Sequence, residues 1–389
     1  MTRSPLEVLL AFLRLGATSF GGPIAHLGYF RAEFVERRGW LDEAAFAECV
    51  AISQLLPGPS SSQTGILIGW IAAGPPGAAA AWAGFTAPSA LLMTAIGLAL
   101  PRLAIGDRLH GLLLVAAAVV ASAVVTMRAT LAPDPPRIAL ALGTFAAVLL
   151  APAAWSGPLA IALCAGAGAL LLHGKIASTP PAVDLRVSRR TGAVAFGAFL
   201  LVLVALGAAA AATHAPALVL ANEFFRIGSL VFGGGHVVLP LMQSQLSSAG
   251  IANPQSILGG YAAAQAMPGP LFTIAAFAGA VAYGGALGWA GALLASLAIF
   301  APSFFLLTAI APFYASLASN GRFRSALAGA NASVVGLLAA ALVTPIASSS
   351  VRSWLDLLAV VVAFAALQVA RAPAWLLVVI AAAVGIFVP

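Results

Sequence analysis

Two stretches decide how this chain folds: "FLRLGATSFGG" at residues 12–22 and "FFRIGSLVFGG" at residues 224–234. They align without a gap, and each carries an arginine, Arg14 or Arg226, ahead of a glycine pair. Further out, "AISQLLPGP" (51–59) aligns with "AAAQAMPGP" (262–270). That alignment pairs Gln54 with Gln265 and Pro57-Gly58-Pro59 with Pro268-Gly269-Pro270. "APS" recurs at 87–89 and 301–303 in the same order and at nearly the same spacing. The chain reads as an internal duplication: a first repeat over 1–173, a polar linker over 174–191 and a second repeat over 192–389.

The repeats are built of membrane-spanning material. Of 389 residues, 62% are hydrophobic and 7% charged, with a mean hydropathy of +1.05. A soluble domain carries roughly a quarter charged residues. Apolar runs of about 20 residues, the length that crosses a bilayer, fill nearly the whole chain. The expected class is an all-α polytopic membrane protein in the lipid bilayer, because the short alternating segments of a β-barrel are missing. The net charge of +7 comes from basic residues at the ends of apolar runs, where topology signals sit, so nucleic acid is not an expected partner. Cys49 and Cys164 lie far apart in apolar stretches and support neither a disulfide framework nor a four-ligand metal site. Glu7 and Arg14 interrupt the apolar start, so residues 1–15 read as mature protein rather than as a signal peptide.

Charge separates the halves. Arg31, Arg37 and Arg38 follow the first glycine pair, whereas the equivalent stretch at 243–260 has no charge at all. Under the positive-inside rule the first loop is cytoplasmic and the second faces outward, which makes an inverted repeat, a transporter plan. The linker, with Lys175, Arg186, Arg189 and Arg190, is also expected inside. Counting every apolar run from 44 to 172 as a full span gives an odd number of crossings. A re-entrant hairpin at Pro57-Gly58-Pro59 repairs the parity, and broken backbone at membrane depth belongs where it lines a transport path. A re-entrant glycine pair would place Arg3 inside as well.

The breaks also carry the candidate chemistry. Proline suits the first turn of a helix, so Pro57-Gly58-Pro59 reads as the start of a half-helix offering the amides and hydroxyls of Ser60, Ser61 and Ser62. Gly21-Gly22-Pro23 has the same grammar; Gly233-Gly234 and Pro268-Gly269-Pro270 repeat the pattern. Helix N-termini bind oxyanions through free N–H groups and the macrodipole. Four such ends converging near the midplane, with charge from Arg14 and Arg226, would hold one small anion. An intramembrane arginine is expensive and usually functional, although Arg14 is close enough to the N-terminus to snorkel. His26, His236 and Glu48 are the proton-coupling candidates. Against them stand a structural hydrogen-bonding role for either histidine and a solvated helix start for Glu48. Gln54 and Gln265 either satisfy freed backbone groups or touch substrate. Gly233-Gly234-Gly235-His236 lacks the ending of a nucleotide loop, and no His-Glu-x-x-His or Gly-x-Ser-x-Gly motif occurs. No catalytic residue, metal or cofactor is expected, and active transport would draw on an ion gradient.

The stretch from Phe12 to Gly65 joins Gly-Gly-Pro, an Arg-Arg-Gly-Trp-Leu loop and Gln-x-x-Pro-Gly-Pro, with an echo in the second half. It resembles the chromate ion transporter family, in its long two-domain form. The resemblance implies a secondary transporter of the cytoplasmic membrane that exports chromate at the expense of the proton-motive force, as an antiporter, and confers resistance. Chromate is a tetrahedral dianion and mimics sulfate. The expected ligand is therefore chromate or a sulfate-like oxyanion, with a homodimer as the candidate assembly. A sulfate transporter, an anion channel and an intramembrane lipid-phosphate enzyme are the alternatives. The second half departs from the pattern with Gly235 where the first has Pro23.

Overall fold

The computed structural model describes residues 3–99, 110–152, 156–172, 185, 187–231 and 238–387. Among them the ordered elements are helices: α1 (Pro5–Thr18), α2 (Gly22–Phe30), α3 (Glu43–Leu55), α4 (Ser60–Ala99), α5 (His110–Leu131), α6 (Pro135–Leu150) and α7 (Ser156–Leu171). Beyond the linker, of which residues 174–184 and 186 lie outside the described residues, come α8 (Arg189–Thr213), α9 (Pro216–Leu230), α10 (Val238–Ser248), α11 (Pro254–Gln265), α12 (Ile274–Tyr283) and α13 (Gly288–Ile310). The chain closes with α14 (Tyr314–Ser319), α15 (Gly321–Ala341), α16 (Ser348–Ser350), α17 (Trp354–Gln368) and α18 (Ala374–Phe387). Local chemistry sets the starts. Ser4, Asp42 and Asn253 accept backbone N–H groups from α1, α3 and α11, and proline occupies the first turn of α1, α6, α9 and α11. Among the described residues five helical stretches are long and apolar enough to cross a membrane: Ser60–Ala99, His110–Leu131, Arg189–Thr213, Gly285–Leu317 and Gly321–Ser350. The protein is an all-α, multi-pass membrane protein.

The chain forms two compact units, and each draws on both sequence halves. One comprises residues 1–103, 181–235 and 267–315; the other comprises 104–180, 236–266 and 316–389.

In the first unit the described breaks at Gly21-Gly22, Pro57-Gly58-Pro59 and Gly74 reverse the chain. Gly21 (φ 101°) and Gly22 (φ 75°) hold backbone angles that only glycine adopts readily, and α2 runs back along α1. The Phe12 ring lies 4.7 Å from that of Phe34 and 5.5 Å from that of Phe30, and Arg38 reaches Glu7 at 3.7 Å. The Pro57-Gly58-Pro59 break does the same for α3 and α4: Ser53 Oγ and Thr64 Oγ1, eleven residues apart, sit 2.8 Å from each other. α4 then folds on itself at Ala73 and Gly74, so that Gly69 packs against Gly77 closely enough that a Cβ on Gly69 would lie 2.4 Å from Gly77 O. Its two arms are thus antiparallel. The Arg3 N–H donates to Ala72 O at 2.8 Å, which puts the N-terminus at the Gly74 end of this hairpin. α12, Gly284 and α13 repeat it, with Gly279 packed on Gly291.

Small residues let these helices approach backbone to backbone, the packing that drives association where water is absent. They also reveal the duplication. A Cβ on Gly16 would lie 2.6 Å from Phe85 O, and one on its repeat equivalent Gly228 would lie 2.1 Å from Ile299 O. The halves touch reciprocally. Gly58 N–H donates to Val231 O at 2.6 Å, and Gly269 N–H donates to Ser19 O at 2.9 Å. Val231 and Ser19 are alignment partners, as are Gly58 and Gly269. Equivalent positions of the two repeats thus exchange equivalent contacts.

The second unit is built on α15, which packs against α6 and α7 through Gly336 on Ala141 and Gly329 on Gly168. α5 lies against α17, where Gln368 Nε2 donates to Ser122 Oγ at 2.8 Å and His110 Nε2 pairs with Asp356 Oδ1 at 2.9 Å.

Candidate functional site

The first turn of α4 is where polar groups gather in the interior of the first unit. Pro57 and Gly58 (φ 123°) stop α3, Pro59 leads into Ser60, and the helix restarts with its free N–H groups turned toward the break. Gly58 and Pro59 are buried, as are Ser61, Ser62, Gln63 and Thr64. Ser61 Oγ lies 3.3 Å from Nδ1 of His26, a fully buried ring that stands edge-on to Phe85 at 5.1 Å. Gln63 Nε2 donates to Pro57 O at 2.6 Å and to Ser303 Oγ at 3.2 Å, spanning from the first half to the second. A Cβ on Gly58 would meet Gln63 Nε2 at 2.5 Å and Ser303 Oγ at 2.8 Å; one on Gly269 would meet Ser89 Oγ at 2.8 Å.

Within this cluster several buried polar atoms have no hydrogen-bond partner among the described residues: Ser19 Oγ, which belongs to the residue accepting from Gly269, Ser62 Oγ and Gln63 Oε1. A buried polar atom left unpaired costs roughly 1–3 kcal/mol, and a group of them beside a helix N-terminus makes this the candidate site. Hydroxyls, an imidazole and backbone N–H groups at the positive end of α4 can donate to a tetrahedral oxyanion from several directions, while the Gln63 amide, its N–H groups given to Pro57 O and Ser303 Oγ, holds the break in shape.

The structure sorts the residues expected from sequence. Gly58, Pro59, Ser61 and His26 come together, with Pro57 and Ser60 half-buried beside them. Gly21, Gly22 and Pro23 form the neighbouring reversal. Pro268, Gly269 and Pro270 repeat the break, with Gly269 at φ 90°. Glu48 is buried in α3. Gln54 is exposed, and Gln265, in the other unit, donates to the Tyr261 hydroxyl at 3.1 Å. Arg14 is also exposed. Arg226 lies on α9 beside a cavity of about 610 Å³, with Nη1 3.7 Å from Glu223 Oε1. Neither arginine belongs to the buried polar set around α4. Gly233, Gly234 and His236 lie outside the described residues.

Sequence reasoning missed Gln63, Ser303, Asn222 and Glu223. A signal for Gln63 was present in the repeat itself. Ser60-Ser61-Ser62-Gln63 stands opposite Leu271-Phe272-Thr273-Ile274, so one half keeps four polar groups where the other buries three apolar ones.

The family described as chromate transporter matches residues 6–170 and 218–386. The chain is 28% identical over 334 residues to a probable chromate transport protein of Synechococcus elongatus, covering 85% of this chain and 82% of the relative. It is 27% identical over 347 residues to a chromate transport protein of Pseudomonas aeruginosa, covering 86% and 79%. A chromate transport protein of Cupriavidus metallidurans is 38% identical over 96 residues, a quarter of this chain. No solved structure matches the chain. The family match takes in both repeats and leaves out the linker, and on that ground the chain belongs to the chromate transporter family.

Proposed function

We propose that this protein exports chromate across the cytoplasmic membrane as a secondary transporter driven by the proton-motive force, and so confers chromate resistance. The observation that carries this reading is the buried, partly unpaired polar cluster at the first turn of α4, formed where the chain reverses at Pro57-Gly58-Pro59. A dianion stripped of water needs such a ring of fixed donors. The relatives named for chromate transport support the substrate. The reciprocal contacts between halves, together with Arg31, Arg37 and Arg38 in one repeat and the uncharged 243–260 in the other, support an inverted repeat that alternates access around this cluster. The test is chromate uptake into inverted membrane vesicles with and without an uncoupler. Accumulation that the uncoupler abolishes is expected; equal uptake in both conditions would show that the proton-motive force does not drive it.

Sulfate is the second reading for the physiological ligand, since the cluster holds hydroxyl and backbone N–H donors that read tetrahedral geometry rather than the central atom. Competition by sulfate in the same vesicles separates the two.

A further inference from the structure

A second polar site lies between α8 and α9. There a cavity of about 610 Å³ has apolar walls that include Leu203, Val204 and Gly207, and a floor of Asn222, Glu223 and Arg226. Asn222 and Glu223 are 7% and 8% exposed. Asn222 Nδ2 donates to Glu223 Oε1 at 2.9 Å, and the same oxygen is 3.7 Å from Arg226 Nη1. Asn222 Oδ1 is buried without a hydrogen-bond partner among the described residues, and Gly207 is the residue on α8 next to it.

Two features of this cleft point to a ligand. The carboxylate–guanidinium contact is long; a tight charge-assisted bond is about 2.7–2.9 Å. Arg226 therefore keeps most of its five donors, and its side chain is 48% exposed, toward the cavity it lines. The cluster also breaks the repeat. Arg226 corresponds to Arg14, but Glu223 and Asn222 correspond to Ala11 and Leu10. The arginine is common to both halves, whereas the acid and amide belong to one.

We propose that this cleft is a coupled station for one proton and one oxyanion, in which protonation of Glu223 releases Arg226 to the anion. The proposal rests on the oxyanion-transport reading above. A proton from solvent bonds to a Glu223 carboxylate oxygen, the ion pair with Arg226 is lost, and the freed guanidinium takes the anion. When the anion leaves, the proton returns to solvent and the pair re-forms. Asn222 holds the carboxyl in place in both states. Few other charges bear on Glu223. α13, packed on α9, has none; α8 carries only Arg189 and Arg190 in its first turn, roughly 20 Å along the helix from Leu203; His214 lies in the α8–α9 turn.

The test uses purified full-length protein in detergent, with sulfate and chromate as probes and proton uptake followed in weak buffer. On adding either anion, the wild type is expected to take up protons and to bind more weakly as pH rises, by about tenfold per unit above the carboxyl's pKa. Glu223→Gln, which stays neutral, is expected to take up none and to hold one affinity across pH. Chromate's own protonation is common to both proteins, so the difference between them is the readout. Wild-type protein that binds anion without taking up protons overturns the proposal, and so does Glu223→Gln with the wild-type pH dependence. The transport reading fails separately, if wild-type vesicles do not move chromate. Proton uptake that sulfate drives and chromate does not would keep the station and replace its anion.

Discussion

Gly58 donates its amide to Val231 O, holds φ at 123° and lies against Gln63 and Ser303. Gly269 holds φ at 90° against Ser89 and donates to Ser19 O. An alanine at either position meets two costs, the left-handed backbone, roughly 1–2 kcal/mol, and a methyl group with no room. In a continuous helix the same change would be mild, since alanine is the better helix former. Gly58→Ala is therefore expected to lower chromate export about tenfold or more while the protein still folds and inserts, and Gly269→Ala to do the same less completely. Vesicle transport rates normalised to membrane protein check both, and wild-type rates in both variants would remove the breaks from the mechanism. Gln63→Leu tests the cluster without touching the backbone. It deletes the two hydrogen bonds to Pro57 O and Ser303 Oγ, and chromate binding is expected to weaken by about an order of magnitude. Gly58 was legible in the sequence because Pro-Gly-Pro is backbone grammar, and grammar survives in one dimension. Gln63 was not, because a glutamine in an apolar run gains its meaning only from the residues that fold back onto it.

At the scale of the helix, the breaks were legible and their consequence was only half so. Prolines and glycines mark where a helix stops, and the fold-back of α3 on α4 follows the reading of a hairpin at residues 57–59. The 40-residue α4 is different, because Gly74-Pro75-Pro76 interrupts a run that hydropathy alone scores as one span. What closes that hairpin is tertiary, the seating of Gly69 on Gly77, and the same holds for Gly16 on Phe85 and Gly228 on Ile299. Gly16→Ala and Gly228→Ala each set a methyl group against backbone, which cannot rotate away. Each is expected to cost about 1–3 kcal/mol, read as a lower midpoint in thermal unfolding of the purified protein. The charged stretch that follows α2, residues 31–38, gives a pH test. Burial works to raise the Glu33 carboxyl, but hydrogen bonds from Arg37 and Arg38 outweigh it and hold the group below the usual carboxylate range. A depressed pKa contributes stability that is full above the ordinary carboxylate value and lost as pH falls through the folded value. Glu33→Gln should therefore lower the midpoint near neutrality and reduce its further fall on acidification. A wild-type profile in the variant would mean the pairs contribute nothing.

For the whole molecule, the duplication was legible as aligned motifs, and its physical meaning emerges from the reciprocal bonds of Gly58 and Gly269. The assembly of each compact unit from both sequence halves was not legible, because alignment reports kinship and not which helix packs on which. Opposite orientation of the repeats has a direct test. Single cysteines at Arg37 and Ser248, both exposed, in a chain lacking Cys49 and Cys164, should label from opposite sides of the membrane. Labelling from one side would end the inverted reading.

The two polar sites differ in which half supplies them, and that asymmetry has a consequence for energy coupling. The first half supplies Ser61, Ser62 and Gln63 at α4, with Ser303 reaching in from the second; the second supplies Glu223 and Asn222 beside Arg226. A strictly symmetric pair of repeats would offer two proton stations, whereas this chain has the acid in one. One proton travelling with one dianion carries one net negative charge per cycle. A membrane potential negative inside then favours exit, by about 2.3 kcal/mol per 100 mV for each unit charge. The chemical gradient of protons opposes the same step, so the electrical part of the proton-motive force must drive export. In proteoliposomes loaded with chromate and clamped by a potassium diffusion potential, efflux is expected to quicken when the interior is made negative and to slow when the sign is reversed. Glu223→Gln, moving the dianion without its proton, should transfer two charges per cycle and respond about twice as steeply to the imposed potential. Equal slopes in the two proteins would show that the proton does not cross with the anion, and efflux indifferent to voltage in the wild type would require two protons for each dianion.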